Sequence, residues 1–192
     1  MNNTQPINRT RWLFNPFIYL GGEIALLTGI FGMFITSVVA YFSHAHLDGV
    51  LDLHIGTPSS YWVFAAESMM DWAAVVVVFY PLSLVLSKSK IRLIDIAGTM
   101  ALARLPMFFG VVIAFLPPLQ GLPGGQISTL AIACSFLILI PVIWLVTLMY
   151  HAFTISANLK GNRAVFGFIG GLLAAEILSK VLIGYLIILY LS

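Results

Sequence analysis

Residues 44–54, HAHLDGVLDLH, hold three histidines and two aspartates between two apolar runs. Imidazoles and carboxylates at this density are metal-ligand types, so His44, His46, Asp48, Asp52 and His54 are the first candidates for chemistry. Ligands so close in sequence close a tetrahedral site only if the backbone folds back on itself. The competing reading is a solvated polar face. In an extended segment His46, Asp48, Asp52 and His54 align opposite Leu47, Leu51, Leu53 and Ile55; in a helix His44, Asp48 and Asp52 lie opposite Leu47, Val50 and Leu51. Either form is amphipathic and suits a segment lying on a membrane surface. The Asp48-Gly49 turn signal weakens the helix. The expectation is therefore an amphipathic outer loop over 44–60, not a metal centre.

A second set of candidates lies inside the apolar runs themselves. Glu67, Asp71, Arg104, Glu176 and Lys180 form one group, and Glu23 with His151 a further pair. Ionisable groups within a bilayer are costly and mark either structural ion pairs or an ion or proton path. Recognisable catalytic apparatus is missing. The chain has no phosphate-cradling glycine loop, no His-Glu-x-x-His and no nucleophile–base pairing. Asp48-Gly49 followed by Asp52 superficially resembles a lipid phosphotransferase motif, but its other acidic and arginine positions are absent. A non-enzyme with no cofactor is expected.

The elements that must position these residues follow from composition. Sixty per cent of the residues are hydrophobic, 8% are charged and the mean hydropathy is +1.03. A soluble domain carries about 25% charged residues. This chain belongs in a lipid bilayer. A net charge of +2, with scattered basic residues, excludes nucleic acid as a partner. The lone Cys134 sits in an apolar run and reads as a small buried hydrophobe.

Five apolar stretches reach the roughly 20 residues that a membrane helix requires. They cover about 17–43, 61–87, 93–117, 127–155 and 164–191, separated by breakers such as GTPSS, PPLQGLPGGQ and NLKGNR. The expected fold is an all-α, five-helix transmembrane bundle over 17–192, after a short cytoplasmic tail at 1–16. No cleavable signal peptide is expected. Asn15 is placed to cap the first helix with Pro16 in its first turn, and Pro141 to kink the fourth. Trp12, Tyr61, Trp62 and Tyr190 fall near span ends, as interfacial anchors do.

Depth, counted at about 1.5 Å per residue, sorts the charges. Asp71, Arg104 and Glu176 fall near the midplane, and Glu67 and Lys180 further out. Arg104 is expected to meet Asp71 or Glu176, Glu67 to meet Lys180, and Glu23 to meet His151 in the inner half. Glu67 and Asp71 share a helix face at i, i+4. Gly167, Gly171, Ala175 and Ser179 recur every four residues, a stripe that admits another helix closely, within the chain or across a homo-oligomer.

The stretches LSKSKIRLIDIAGTMALARLP (86–106) and LMYHAFTISANLKGNRAVFGFIGGLLAAEILSKVL (148–182) resemble the bacterial branch of the Yip family, as does YFSHAHLDGVLDLH after the first span. The resemblance implies a five-span protein of the bacterial inner membrane with no enzymatic activity. Eukaryotic members engage Rab-type GTPases through a long N-terminal region, which this chain lacks, so that partner is not implied. The implied function is the organisation of membrane or protein partners; the alternative is a small channel or transporter for protons, cations or small solutes.

Orientation follows from the basic residues. Arg9, Arg11, Lys88, Lys90, Arg92, Lys160 and Arg163 all fall on one side, and the two opposite loops contain no Lys or Arg. That side is expected to be cytoplasmic, with the N-terminus in and the C-terminus out. In a background lacking Cys134, a cysteine within 44–60 or at Ser192 should react with an impermeant thiol reagent added to intact cells. Ser89→Cys should be protected. Labelling of Ser89→Cys from outside reverses the orientation.

Overall fold

A computed structural model describes residues 9–121 and 128–191, with side chains for 12–121 and 128–188. Short helix α1 (Arg9–Phe14) and a 3-10 turn at Pro16–Ile18 precede α2 (Gly22–Ser43). A two-stranded hairpin follows, β1 (Ala45–His46) paired antiparallel with β2 (His54–Ile55). Then come α3 (Tyr61–Leu86), α4 (Leu93–Ala103), α5 (Met107–Ile113), α6 (Pro117–Gln120), α7 (Thr129–Ser156) and α8 (Asn162–Leu191). Among the described residues, five helical segments are long and apolar enough to cross a membrane: α2, α3, α4 with α5, α7 and α8. The chain is a multi-pass helical membrane protein.

The third segment is the hub. Its apolar window is 72% buried, against 22–33% for the other four, so the bundle is built around it. Small residues make this possible: Ala97, Gly98, Thr99, Ala101 and Ala103 are all buried. A methyl group on Gly29 of α2 would sit 2.6 Å from the Ala101 Cβ, so the α2–α4 crossing requires glycine there. The Trp72 indole N–H of α3 donates to the Ala97 carbonyl at 3.0 Å, and the Thr99 and Ser156 hydroxyls meet at 2.9 Å between α4 and α7. Phe79 of α3, Phe153 of α7 and Phe168 of α8 pack as an aromatic cluster where those three helices meet.

Expected and observed boundaries agree closely for 61–87, 127–155 and 164–191. Two ends do not follow the expectation. The first helix begins at Gly22, because Gly21 and Gly22 interrupt the chain (Gly22 φ is +54°) and Pro16 starts only the 3-10 turn. Asn15 makes no capping hydrogen bond, and its Oδ1 is buried without a partner. The expected single helix over 93–117 breaks at Arg104–Pro106, since proline cannot donate to the preceding turn. By contrast α3 and α7 continue through Pro81 and Pro141.

The small-residue stripe of α8 is used inside the chain. Gly167 lies against Leu86, Gly171 against Leu82 and Phe79, and Ala175 and Ser179 are fully buried. It packs on α3. Trp12 and Trp62 are exposed and Tyr61 half-buried, as interfacial anchors are, while the Tyr190 side chain lies outside the described residues.

Candidate functional site

Every acid of the first charged set finds a donor, and two of the three find it in the hairpin. Asp71 of α3 is fully buried. Arg104 Nη2 donates to its Oδ2 at 2.6 Å, and the Ser179 hydroxyl donates to Oδ1. Arg104 is itself 3% exposed and sits at the C-cap of α4, where the free carbonyl ends of the helix favour a cation. The break at Pro106 leaves the guanidinium aimed across the bundle at α3. Of the two partners expected for Arg104, the structure selects Asp71.

Glu67 lies one turn nearer the hairpin than Asp71, on the same face of α3, and is 1% exposed. Its partner is not Lys180. The His46 Nδ1–H donates to Oε1 at 2.8 Å, and the Leu47 backbone N–H donates to Oε2 at 3.2 Å. The other His46 ring nitrogen donates to the Thr57 carbonyl at 3.2 Å, so both nitrogens face acceptors, the arrangement that suits the imidazolium. Phe64 stacks on that ring with centroids 4.4 Å apart, and His54 with centroids 5.3 Å apart.

Glu176 of α8 meets the hairpin as well. Its Oε2 accepts the Leu51 backbone N–H at 3.0 Å, and Oε1 lies 3.6 Å from Lys180 Nζ. Gly49 is the residue that permits this approach: a Cβ there would stand 2.5 Å from Glu176 Oε1. Lys180 then turns outward to Asp52 at 2.6 Å. The hairpin is thus clamped to α3 by Glu67 and to α8 by Glu176 and Lys180.

The loop folds as a hairpin onto the bundle, with its apolar residues and His46 inward and Asp52 and His54 partly exposed. Leu47 and Val50 are 2% and 0% exposed, and His46 is 8% exposed. The physical reason is the pair of acids beneath it, which require N–H donors that helices, with their N–H groups already engaged, do not offer. Nor do the five metal-ligand candidates assemble. His46 is committed to Glu67, His54 to Asp48 at 3.0 Å and Asp52 to Lys180, while His44 caps α2 in the left-handed conformation. Among the described residues no group of three or more His, Cys, Asp or Glu side chains is placed to hold a metal ion. Glu23 and His151 form no ion pair among those residues either; Glu23 is exposed at the start of α2.

Compared with known proteins, the chain matches no family model, no curated protein and no solved structure.

Removing Arg104 leaves Asp71 charged and unpaired, a loss on the order of 3–5 kcal/mol for a broken buried pair. Arg104→Ala should therefore lower the melting temperature in detergent sharply. Adding Asp71→Asn should recover part of the loss, and adding Glu176→Gln should not. Lys180→Met should be milder than Arg104→Ala, because Lys180 is half-exposed. An Arg104→Ala protein that melts like the parent contradicts the pair.

The hairpin is also pH-sensitive. Burial disfavours the His46 cation, yet the Glu67 hydrogen bond and charge override it and raise its pKa above 6.5. The Asp48 contact raises that of His54 against the opposing effect of burial. Burial pushes the Asp48 carboxyl up, but His54 and the more distant Lys180 more than offset this, leaving it below 3.8. The raised imidazoles contribute stability that is fully present below their unfolded pKa and lost as pH rises through the folded value. The depressed Asp48 contributes stability present above 3.8 and lost on acidification. The hairpin should hold best between about pH 4 and 6.5 and loosen as the pH rises further. The melting temperature should fall over that upper range, and the fall should flatten in His46→Gln/His54→Gln. An equally steep fall in the double variant rejects the assignment.

Proposed function

We propose that this protein is a non-enzymatic, Yip-like protein of the cell inner membrane that organises membrane or protein partners through a closed, ion-locked bundle. The observation that carries this reading is Asp71. It is fully buried and engaged on both carboxylate oxygens, by Arg104 and Ser179. A conducting carboxylate near the midplane needs water or a polar route to it. Among the described residues, five cavities of the bundle have neither Asp71 nor Glu176 in their linings, and the one at the hairpin stops at Glu67. Closed pairs of this kind fix which helix faces meet and leave the exterior to recognise partners.

The competing reading is a small channel or transporter for protons, cations or small solutes. The two are separated by reconstituting the full chain in liposomes that enclose a pH-sensitive dye and imposing a proton gradient. The organising reading expects dissipation no faster than in protein-free liposomes. Dissipation above that level, abolished by Asp71→Asn, moves the assignment to a transporter.

A further inference from the structure

Two cavities lie end to end along one face of α7. The first, about 210 Å³, is bounded by Trp12 and Leu13 of α1, Leu105 and Phe109 beside the break in the third segment, and Trp144 and Leu148 of α7. Its walls are apolar except for Thr28. The second, about 530 Å³, is bounded by Asn15, His151, Thr154, Asn158 and Lys160. Trp144, Leu148, His151 and Ile155 follow one another at helical spacing of four, three and four residues, so a single stripe of α7 passes from the apolar cavity into the polar one. The N-terminal segment crosses both, with Leu13 and Pro16 in the first and Asn15 in the second.

The N-terminal segment is held there. The Trp144 indole N–H donates to the Leu13 carbonyl at 3.0 Å, which pins α1 to α7 over the apolar cavity. Leu105 and Pro106 of the break and Phe109 of α5 line its other side. At the polar end the cavity is lined by the Lys160 ammonium and the His151 imidazole, and by no carboxylate. The Asn158 amide donates to Ser89 at 3.0 Å, which brings the loop carrying Lys88, Lys90 and Arg92 alongside. Glu23 and Asp95, the acids at this end, line neither cavity. An apolar slot within the membrane-spanning region, continued by a cationic, amide-rich cleft at its boundary, matches an acyl chain and a phosphate headgroup.

We infer that this cleft binds a glycerophospholipid of the leaflet on the Lys160 side, with one acyl chain between α1, α5 and α7 and the phosphate at His151 and Lys160. Asn15, whose Oδ1 is buried without a partner, lies at the polar end and can accept a headgroup or glycerol hydroxyl. The same lipid would hold the N-terminal segment against the bundle, coupling α1 to the composition of the membrane.

The test uses the full chain, delipidated in detergent, and three probes: dioleoyl phosphatidylglycerol, dioleoylglycerol and glycerol 3-phosphate. The phospholipid should raise the melting temperature at concentrations at least about tenfold below either part-molecule, the worth of one charge-assisted hydrogen bond. Lys160→Gln/His151→Gln should remove that advantage over dioleoylglycerol. Thr28→Phe, at an exposed position of α2 in the apolar cavity, should weaken both lipids together. Dioleoylglycerol acting as well as the phospholipid overturns the headgroup site. Thr28→Phe binding both lipids like the parent overturns the chain site. Should the Lys160/His151 variant fail to fold, the probe comparison on the parent and the Thr28→Phe result still decide the matter.

Discussion

The structure depends on three carboxylates set into the bundle. Glu67 and Asp71 on α3 are buried and Glu176 on α8 is partly so, where an unsatisfied polar group is costly and the surrounding helices have already spent their N–H groups on themselves. Donors must therefore come from elsewhere. Arg104 and Ser179 serve Asp71. The Leu47 and Leu51 N–H groups, together with His46, serve the other two. Much of the architecture that is not plain helix exists at these contacts. The third segment breaks where it delivers a guanidinium to the centre, and the first loop folds back as a hairpin because its backbone is the available donor.

That view explains the composition of the loop. A segment that only bridged two spans would need polar side chains and little else. This one carries Leu47 and Val50, which are buried, and Gly49, which lets a carboxylate reach the main chain. Its imidazoles have different tasks. His46 is ringed by acceptors and aromatic faces, with Glu67 and Thr57 at its nitrogens and Phe64 and His54 stacked on the ring. A cation on that ring gains from both hydrogen bonds and from the π-face of Phe64. His54, more exposed, acts chiefly through Asp48 within the hairpin.

Much of the fold was legible in the sequence because its signals are local. Apolar length and Gly or Pro breakers located the spans, and the i, i+4 spacing put Glu67 and Asp71 on one face. Depth counting reached the Arg104–Asp71 pair but mispaired Glu67 with Lys180. It ranked side chains against side chains and had no place for a backbone N–H from a loop. The partner of Leu51 N–H lies 125 residues away, and no periodicity reports such a contact. One available signal was passed over: Pro106, two residues after Arg104, marks the break in the third segment.

The two ends of the bundle are consequently opposite in character. At the hairpin end, acids are neutralised from within the chain, and the small-residue stripe of α8 is spent on α3. At the other end Lys88, Lys90, Lys160 and Arg163 are not held in any ion pair among the described residues, and Arg92 reaches Asp95 only at 4.0 Å. Internal pairing neutralises the hairpin end, whereas unspent positive charge leaves the other end attractive to anions. Exposed lysines gain little from one another and attract a phosphate-rich surface best when an apolar slot adds burial to charge. The α1–α7 cleft combines the two at the same end of the protein. An anionic partner is therefore better matched by the basic face than by the hairpin, whose imidazoles and acids largely answer one another.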